Sequence, residues 1–247
     1  FRSLFPPKIA IKLNIPLIFY GENPEDYGNK KVEKDSPSKN SKFFSSDNQE
    51  VYISGLNTRE LNDYGISDND LIPYQPIKKE EILKNKIDVQ YLGYYLKWHP
   101  QENYYYTIEN SNFTPSPERT PGTYSKYSSI DDKLDDLHYF TTYIKFGMGR
   151  ATYDTAQEIR NGEINRDEGV ELIKRFDGEY PVRFEKELFD YLSIDEKTFP
   201  KAFSKLEHPT INRDTFFKLA DKFRSPHLWY YSEDEQKWYL RKTLFNR

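Results

Sequence analysis

The sequence predicts an α/β remnant followed by a mainly helical region. Three observations lead there. The run Ile15-Pro16-Leu17-Ile18-Phe19-Tyr20 is continuously apolar, as expected for a strand buried on both faces of a parallel sheet. From Ser129 onward, apolar residues recur at helical spacing and are stopped by Gly147, Gly162 and Gly178. The composition is 36% hydrophobic, yet 17% of all residues are aromatic. That shortage of aliphatics suits an aromatic-lined helical half better than a whole α/β enzyme.

The elements follow in order. Pro7 sits well in a first helical turn, with Ile9, Ala10 and Leu13 as a short apolar stripe. The strand at 15–20 ends in Gly21-Glu22-Asn23-Pro24, and carboxyl ends of strands are where open α/β sheets bind ligands. One strand cannot make a sheet, so its partners are expected to be missing or supplied elsewhere. Residues 25–50 are almost wholly polar and read as a mobile loop or flap. Helical fragments are expected near 57–63 and 77–86, a strand over 88–97, and a helix from Pro100 to about Asn110. Pro115, Pro117 and Pro121 then punctuate an irregular connection.

Ser129 is an N-cap candidate, with Asp131 and Asp132 favoured in the first turn by the helix dipole. Ile130, Leu134, Leu137, Thr141 and Ile144 form the apolar face of that helix. Further helices are expected at 150–161, 167–176, 183–192, 196–206 and 213–223. The aromatic tail around Trp229-Tyr230-Tyr231 and Trp238-Tyr239 reads as a short hairpin or strand.

Composition excludes several chemistries. With no Cys, these residues make no disulfide, thiolate metal site or cysteine nucleophile. A net charge of −4 offers no global attraction for nucleic acid or anionic lipid. The run at 15–20 is far shorter than the roughly 20 residues a membrane helix needs. The chain opens at Phe1 and its single methionine is Met148, so a processed or truncated product is expected.

Three candidate sites stand out. Gly21-Glu22-Asn23 places a carboxylate and an amide at a strand's carboxyl end, suited to a metal-bound nucleotide or a polar substrate, or else to a turn with Glu22 in water. Asp131, Asp135 and His138 share a helical face at i, i+4 and i+7. They could coordinate a divalent ion, poise His138 as a base oriented by Asp135, or simply face solvent. The segment Lys145-Phe146-Gly147-Met148-Gly149-Arg150 puts two glycines and two cations before a helix N-terminus, a natural phosphate or carboxylate site. Asp154, one turn on, could hold the Arg150 guanidinium; the alternative is a tight interhelical turn with an exposed ion pair. His99, His208 and His227 are isolated, which argues against a zinc site. Tyr94-Tyr95 and Tyr104-Tyr105-Tyr106 suit either sugar or base stacking or an amphipathic core.

The stretches Ile15 to Pro24, Trp98 to Asn103, Ser129 to Lys133, Lys145 to Thr152, Glu158 to Arg160, Arg166 to Glu168 and Asp177 to Pro181 together resemble the N-acetyl sugar amidotransferase family. The resemblance spans about 5–225 and is most specific over 128–181. That family makes acetamidino sugars for lipopolysaccharide O-antigen and flagellar pseudaminic- or legionaminic-type glycans. The resemblance implies residues 1–50 as the C-terminal edge of an ATP-pyrophosphatase-type (HUP-like) nucleotide domain, and 51–247 as a mainly helical substrate or partner domain. It implies a cytoplasmic enzyme in which ATP with Mg2+ adenylates the acetamido oxygen and ammonia displaces AMP. The ammonia would come from glutaminase and cyclase-like channelling subunits, and the substrate would be a free or nucleotide-linked N-acetyl sugar. The family's Ser-Gly-Gly-Lys-Asp-Ser-type loop and its cysteine cluster, where zinc is possible, correspond to positions upstream of Phe1. These 247 residues alone are therefore expected not to turn over. On this view Glu22, Asn23, His138 and Asp154 are catalytic, and Gly21 and Glu22 contact the nucleotide. Asp131, Asp132, Lys133, Lys145, Gly147, Gly149, Arg150 and Arg160 bind substrate or an anion. Rival readings are a non-catalytic helical domain that docks a glutaminase, and a carbohydrate-binding module.

Overall fold

The computed structural model describes residues 3–21, 36–47, 51–53 and 55–243. They form helices with three two-stranded sheets, in two compact units, Phe1–Trp98 and His99–Arg247. The division expected after residue 50 falls inside the first unit, because a strand from either side of it pairs there.

The first unit begins with α1 (Phe5–Leu13), entered through prolines and closed by Asn14 in the left-handed conformation at φ 54°. Strand β1 (Leu17–Tyr20) follows. The short strands β2 (Tyr52–Ile53) and β3 (Leu56–Asn57) pair antiparallel. Helix α2 (Thr58–Asn62) starts on an Asn57–Glu60 capping box, and α3 (Asp68–Leu71) on a Ser67–Asp70 one. Helix α4 (Lys79–Lys84) leads to β4 (Asp88–Tyr91), which runs parallel to β1 with Leu17 opposite Asp88. The strand expected without a partner thus has one within the chain. The strand expected over 88–97 stops at Tyr91, where a 3-10 turn takes over.

Burial on both faces of β1 is also corrected. Ile18 and Tyr20 pack against a core of Phe44, Ile77, Ile82 and Val89, while Leu17 and Phe19 remain 44% and 48% exposed. Successive side chains of a strand point to opposite faces, and only one face of β1 lies over that core. Within the segment expected as a flap, residues 36–47 are anchored instead. Lys39 N–H donates to the Val89 carbonyl at 2.7 Å and Tyr91 N–H to the Pro37 carbonyl at 2.9 Å, closing the outer edge of β4. Phe44 and Ser45 are buried. One aromatic in a polar run supplies the apolar area that the averaged composition hid. Residues 25–35 and 48–50 of the expected flap lie outside the described residues.

The second unit opens with α5 (Pro100–Asn110), capped by His99 Nδ1, which accepts from Glu102 N–H at 3.3 Å. An irregular stretch then runs to α6 (Leu134–Phe146). Ser129 is not the cap of α6. It sits at φ 53°, and the helix starts five residues later, where Asp132 Oδ1 accepts from Leu134 N–H at 2.8 Å. Gly147 (φ 70°) ends α6, Gly162 (φ 82°) ends α7 (Arg150–Asn161), and Gly178 (φ 80°) follows α8 (Arg166–Phe176). Gly178 has no substitute: a Cβ there would lie 2.3 Å from the Tyr143 ring. Helices α9 (Glu185–Leu192), α10 (Pro200–Phe203) and α11 (Arg213–Asp221) complete the set.

The core of this unit mixes aliphatic and aromatic side chains. Leu137, Phe140 and Ile144 of α6 meet Leu188 and Phe189 of α9 and Phe216 and Ala220 of α11, ringed by Tyr180, Phe184 and Phe217. The hairpin β5 (Trp229–Ser232) and β6 (Lys237–Leu240) docks on the end of α6, where Trp229 Nε1 donates to the Ile144 carbonyl at 2.8 Å. Among the described residues no helix is long and apolar enough to cross a membrane.

Candidate functional site

The site is built on the stretch before α6, which the proline spacing marks only as a connection. Its centre is fully enclosed: Thr120 and Thr123 are 0% exposed. Backbone bonds fold it on itself, Thr120 N–H to Ser125 O at 3.0 Å and Thr123 N–H to Thr120 O at 3.2 Å. Gly122 supplies the turn at φ 83°, and its carbonyl accepts from Ala151 N–H at 3.0 Å. Thr120 Oγ1 donates to the Ser128 carbonyl at 2.8 Å. With so few aliphatics, this loop is packed largely by polar groups: its buried threonines are hydrogen-bonded, while the buried Ser125 Oγ has no partner.

Two guanidinium–carboxylate forks clamp it. Arg119 donates to both oxygens of Glu179 at 2.6 Å, and Gly122 N–H adds a third bond to that carboxylate at 2.8 Å. Arg183 donates to both oxygens of Asp136, at 2.8 and 3.0 Å, and Asp136 is 1% exposed. The Arg119 guanidinium holds the Glu179 carboxyl below the usual glutamate range. At Asp136 burial dominates and pushes the carboxyl up, against the pull of Arg183. Both Asp136 oxygens accept N–H donors, so the group stands as a carboxylate.

Between these forks lies a cleft of about 560 Å³. Arg119, Glu179, Arg183 and Lys126 give it charge, and Tyr124 and Tyr180 contribute to its wall. The Tyr124 hydroxyl is buried beside the Glu158 carboxyl, and no well-aligned hydrogen bond reaches it. Burial is the main cause that raises both groups.

The expected site residues are distributed as follows. Gly21 is exposed at the end of β1, and Glu22 and Asn23 lie outside the described residues. Asp131 and Asp132 precede α6, so Asp131 does not share a helical face with Asp135 and His138. His138 is exposed on α6 with the Tyr139 ring 5.7 Å away, and Asp135 accepts from the Tyr139 hydroxyl at 3.4 Å rather than orienting His138. Lys133 bonds Glu187, Lys145 lies over the Phe146 ring, and Arg160 bonds Gln157 at 2.7 Å on the exposed side of α7. No group of three or more His, Cys, Asp or Glu that could hold a metal occurs among the described residues.

The anion expected at the N-terminus of α7 is the chain's own Asp177. Its carboxylate accepts from Gly149 N–H at 2.9 Å, from Thr152 N–H at 3.1 Å and from the Thr152 hydroxyl. Burial pushes Asp177 up while these bonds pull it down. A Cβ at Gly149 would lie 2.8 Å from Asp177 Oδ1, so glycine is what allows the approach. Gly147 serves the turn and meets Leu240. Arg150 is likewise engaged. Its Nε donates to Asp154 at 2.7 Å and a terminal nitrogen to the Tyr139 hydroxyl at 2.7 Å, while Thr123 Oγ1 donates to the other Asp154 oxygen at 2.6 Å. Asp154 therefore positions Arg150 and Thr123. With Asp177 in place, the N-terminus of α7 is closed to a nucleotide phosphate.

Spacing along the chain does not single out Arg119, Tyr124, Asp136, Glu179 or Arg183. One signal was present: Asp136 sits on the same helical arc as Leu137 and Phe140, where a charge must be paired.

Comparison with known proteins places this region. The family model described as LPS biosynthesis protein WbpG-like, C-terminal domain, matches residues 121–244. No curated protein matches the chain. The matched span covers half of the sequence and includes Gly122, Tyr124, Asp136, Glu179 and Arg183; on that ground the chain belongs to the WbpG-like family of LPS biosynthesis proteins.

Proposed function

We propose that this chain is the sugar-recognising part of an amidotransferase that turns the N-acetyl group of a bacterial surface sugar into an acetamidino group. The observation that carries the reading is the cleft with its two guanidinium–carboxylate forks and two tyrosines in its wall. The family's role in LPS biosynthesis supplies the substrate class, and the resemblance to N-acetyl sugar amidotransferases supplies the reaction. In that reaction ATP activates the acetamido oxygen and ammonia from a glutaminase partner takes its place. The α/β strand pair of the first unit would then belong to a HUP-like nucleotide domain, and the enzyme would work in the cytoplasm. No step of nucleotide chemistry is assigned to the described residues.

What the chain's own residues do is bind and orient. Glu179, kept ionised by Arg119, accepts from sugar hydroxyls, and Arg183 offers N–H donors from a fixed plane. Tyr180, whose hydroxyl is tied to Glu185 and whose ring packs on Phe140 and Phe217, forms part of the cleft wall. Burial around such groups strengthens each bond to the ligand and fixes the ring for reaction at one substituent.

The test uses the amidotransferase containing this chain, with its glutaminase and ATP, and follows amidine formation by mass spectrometry of the sugar. Arg119→Ala and Tyr180→Ala are each expected to lower kcat/KM about 10–100-fold with the fold retained by circular dichroism. Folded variants with full activity would remove the cleft from the reaction.

A further inference from the structure

A ring of polar contacts leaves α6, passes through the cleft wall and returns to α6. Asp136 on α6 accepts from Arg183 Nε and Nη2, and Arg183 Nη1 donates to the Arg119 carbonyl at 3.4 Å. The Arg119 guanidinium donates in turn to the Thr123 carbonyl at 3.1 Å, besides gripping Glu179. Thr123 Oγ1 donates to one oxygen of Asp154 at 2.6 Å, and the other oxygen accepts from Arg150 Nε at 2.7 Å. Arg150 Nη1 closes the ring on the Tyr139 hydroxyl at 2.7 Å, on the same helix as Asp136. Arg119, Glu179 and Arg183 line the cleft, whereas Thr123, Tyr139, Arg150 and Asp154 do not.

Thr123 is the joint between the two halves of this ring. It is fully enclosed, with its hydroxyl bonded to Asp154 and its carbonyl to Arg119. Arg119 Nη1 is divided between that carbonyl and the Glu179 carboxylate, so a shift of Thr123 turns the guanidinium and the carboxylate with it. The Arg150 guanidinium is braced as well, 4.9 Å from the centre of the Tyr139 ring. A polar network with all its members bonded is stiff, and opening one bond loosens the others. We infer that Thr123, Asp154 and Arg150 are positioning residues of the cleft: they hold the Arg119–Glu179 fork in the orientation that meets the ligand. This rests on the sugar reading above, and it gives the Arg150–Asp154 pair a role exerted through Thr123 and Arg119.

The experiment is a ligand-observed NMR titration of the full 247-residue chain, with folding followed by circular dichroism. The probes are N-acetylglucosamine, N-acetylglucosaminuronic acid and UDP-N-acetylglucosamine. Thr123→Val keeps the side-chain shape without the hydroxyl, and is expected to raise Kd about 3–10-fold for each probe that binds. Thr123→Ser keeps the hydroxyl and is expected to stay within about 2-fold of the unaltered chain. Tyr139→Phe, which opens the ring at its far end, is expected to raise Kd about 2–3-fold. A purely structural role would lower the fraction of chain able to bind and leave Kd where it was. In an Arg119→Ala background, Thr123→Val is expected to add less than about 2-fold, because its effect passes through that guanidinium. Unchanged Kd in folded Thr123→Val and Tyr139→Phe, or an equal rise with Arg119 removed, would overturn the inference. The sugar reading then stands if Arg119→Ala weakens binding. An unaltered chain that binds none of the probes, or an Arg119→Ala chain that binds them undiminished, would sink the sugar reading itself.

Discussion

The first unit holds its irregular segment with one aromatic, whereas the second holds its own with ion pairs. In residues 36–47, Phe44 enters a small aliphatic core and two backbone bonds tie the segment to β4. In the second unit, the loop around Thr120 carries no large buried apolar side chain. It is fixed by Arg119–Glu179, by Arg183–Asp136 and by buried threonines. An apolar anchor is non-directional and sets only where a segment lies. A bidentate fork also sets angle and register, because both N–H groups must meet both oxygens. Such directional bonds hold the loop in one geometry, at some cost in desolvation.

That contrast can be broken most severely at Asp136. Asp136→Ala leaves the Arg183 guanidinium without its partner inside the protein, and a loss of roughly 3–5 kcal/mol is expected in urea unfolding. The double variant Asp136→Leu with Arg183→Met should cost much less than the sum of the singles, showing that the pair specifies geometry more than it stabilises. Additive costs would show instead that each residue acts independently.

Next in size is the apolar anchor. Phe44→Ala is expected to cost about 3 kcal/mol, and Phe43→Ala, whose ring is exposed, less than about 0.5 kcal/mol. Equal effects would mean that residues 36–47 are not held by that one ring.

Acid sharpens the contrast further. The folded Glu179 value is lowered, so its contribution is complete above the ordinary value of 4.5 and is lost as pH falls through the folded value. Asp136 and Asp177 carry the opposite sign: their raised values favour the folded state at low pH, and that gain fades as pH rises through them. The stability difference between the natural chain and Glu179→Gln should therefore be about 1 kcal/mol near neutrality and shrink below pH 4.5. A difference that persists into strong acid would contradict the ionic role of the fork.

The smallest effect is expected on the open face of β1. Leu17→Thr and Phe19→Thr should shift stability by no more than about 0.5 kcal/mol in this chain, since both side chains already meet water. A large loss in thermal unfolding would mean that this face is covered.

Local chemistry in the sequence was enough for the helix ends of the second unit. Gly147 and Gly162 stop helices because each takes a left-handed backbone that other residues adopt at a cost, a property of the residue itself, whereas α8 ends on an extended Asp177 one residue before Gly178. The aromatic bias announced the aromatic part of the core. Spacing likewise paired Arg150 with Asp154, four residues apart on one helix. The family resemblance reached the level of LPS biosynthesis through residues inside the matched span.

The cleft was decided only by tertiary structure. Asp136 meets Arg183 across 47 residues, and Arg119 meets Glu179 across 60. The apolar arc around Asp136 marks it as enclosed, unlike Asp131, but nothing along the chain tells which cation will meet it. The same holds for the α7 terminus, where glycines and cations promised a site for a ligand and folding delivered Asp177 to it. It holds again for β1, whose partner lies some 70 residues on. Periodicity reports the environment of a side chain averaged over a face, and a fork depends on which two faces meet.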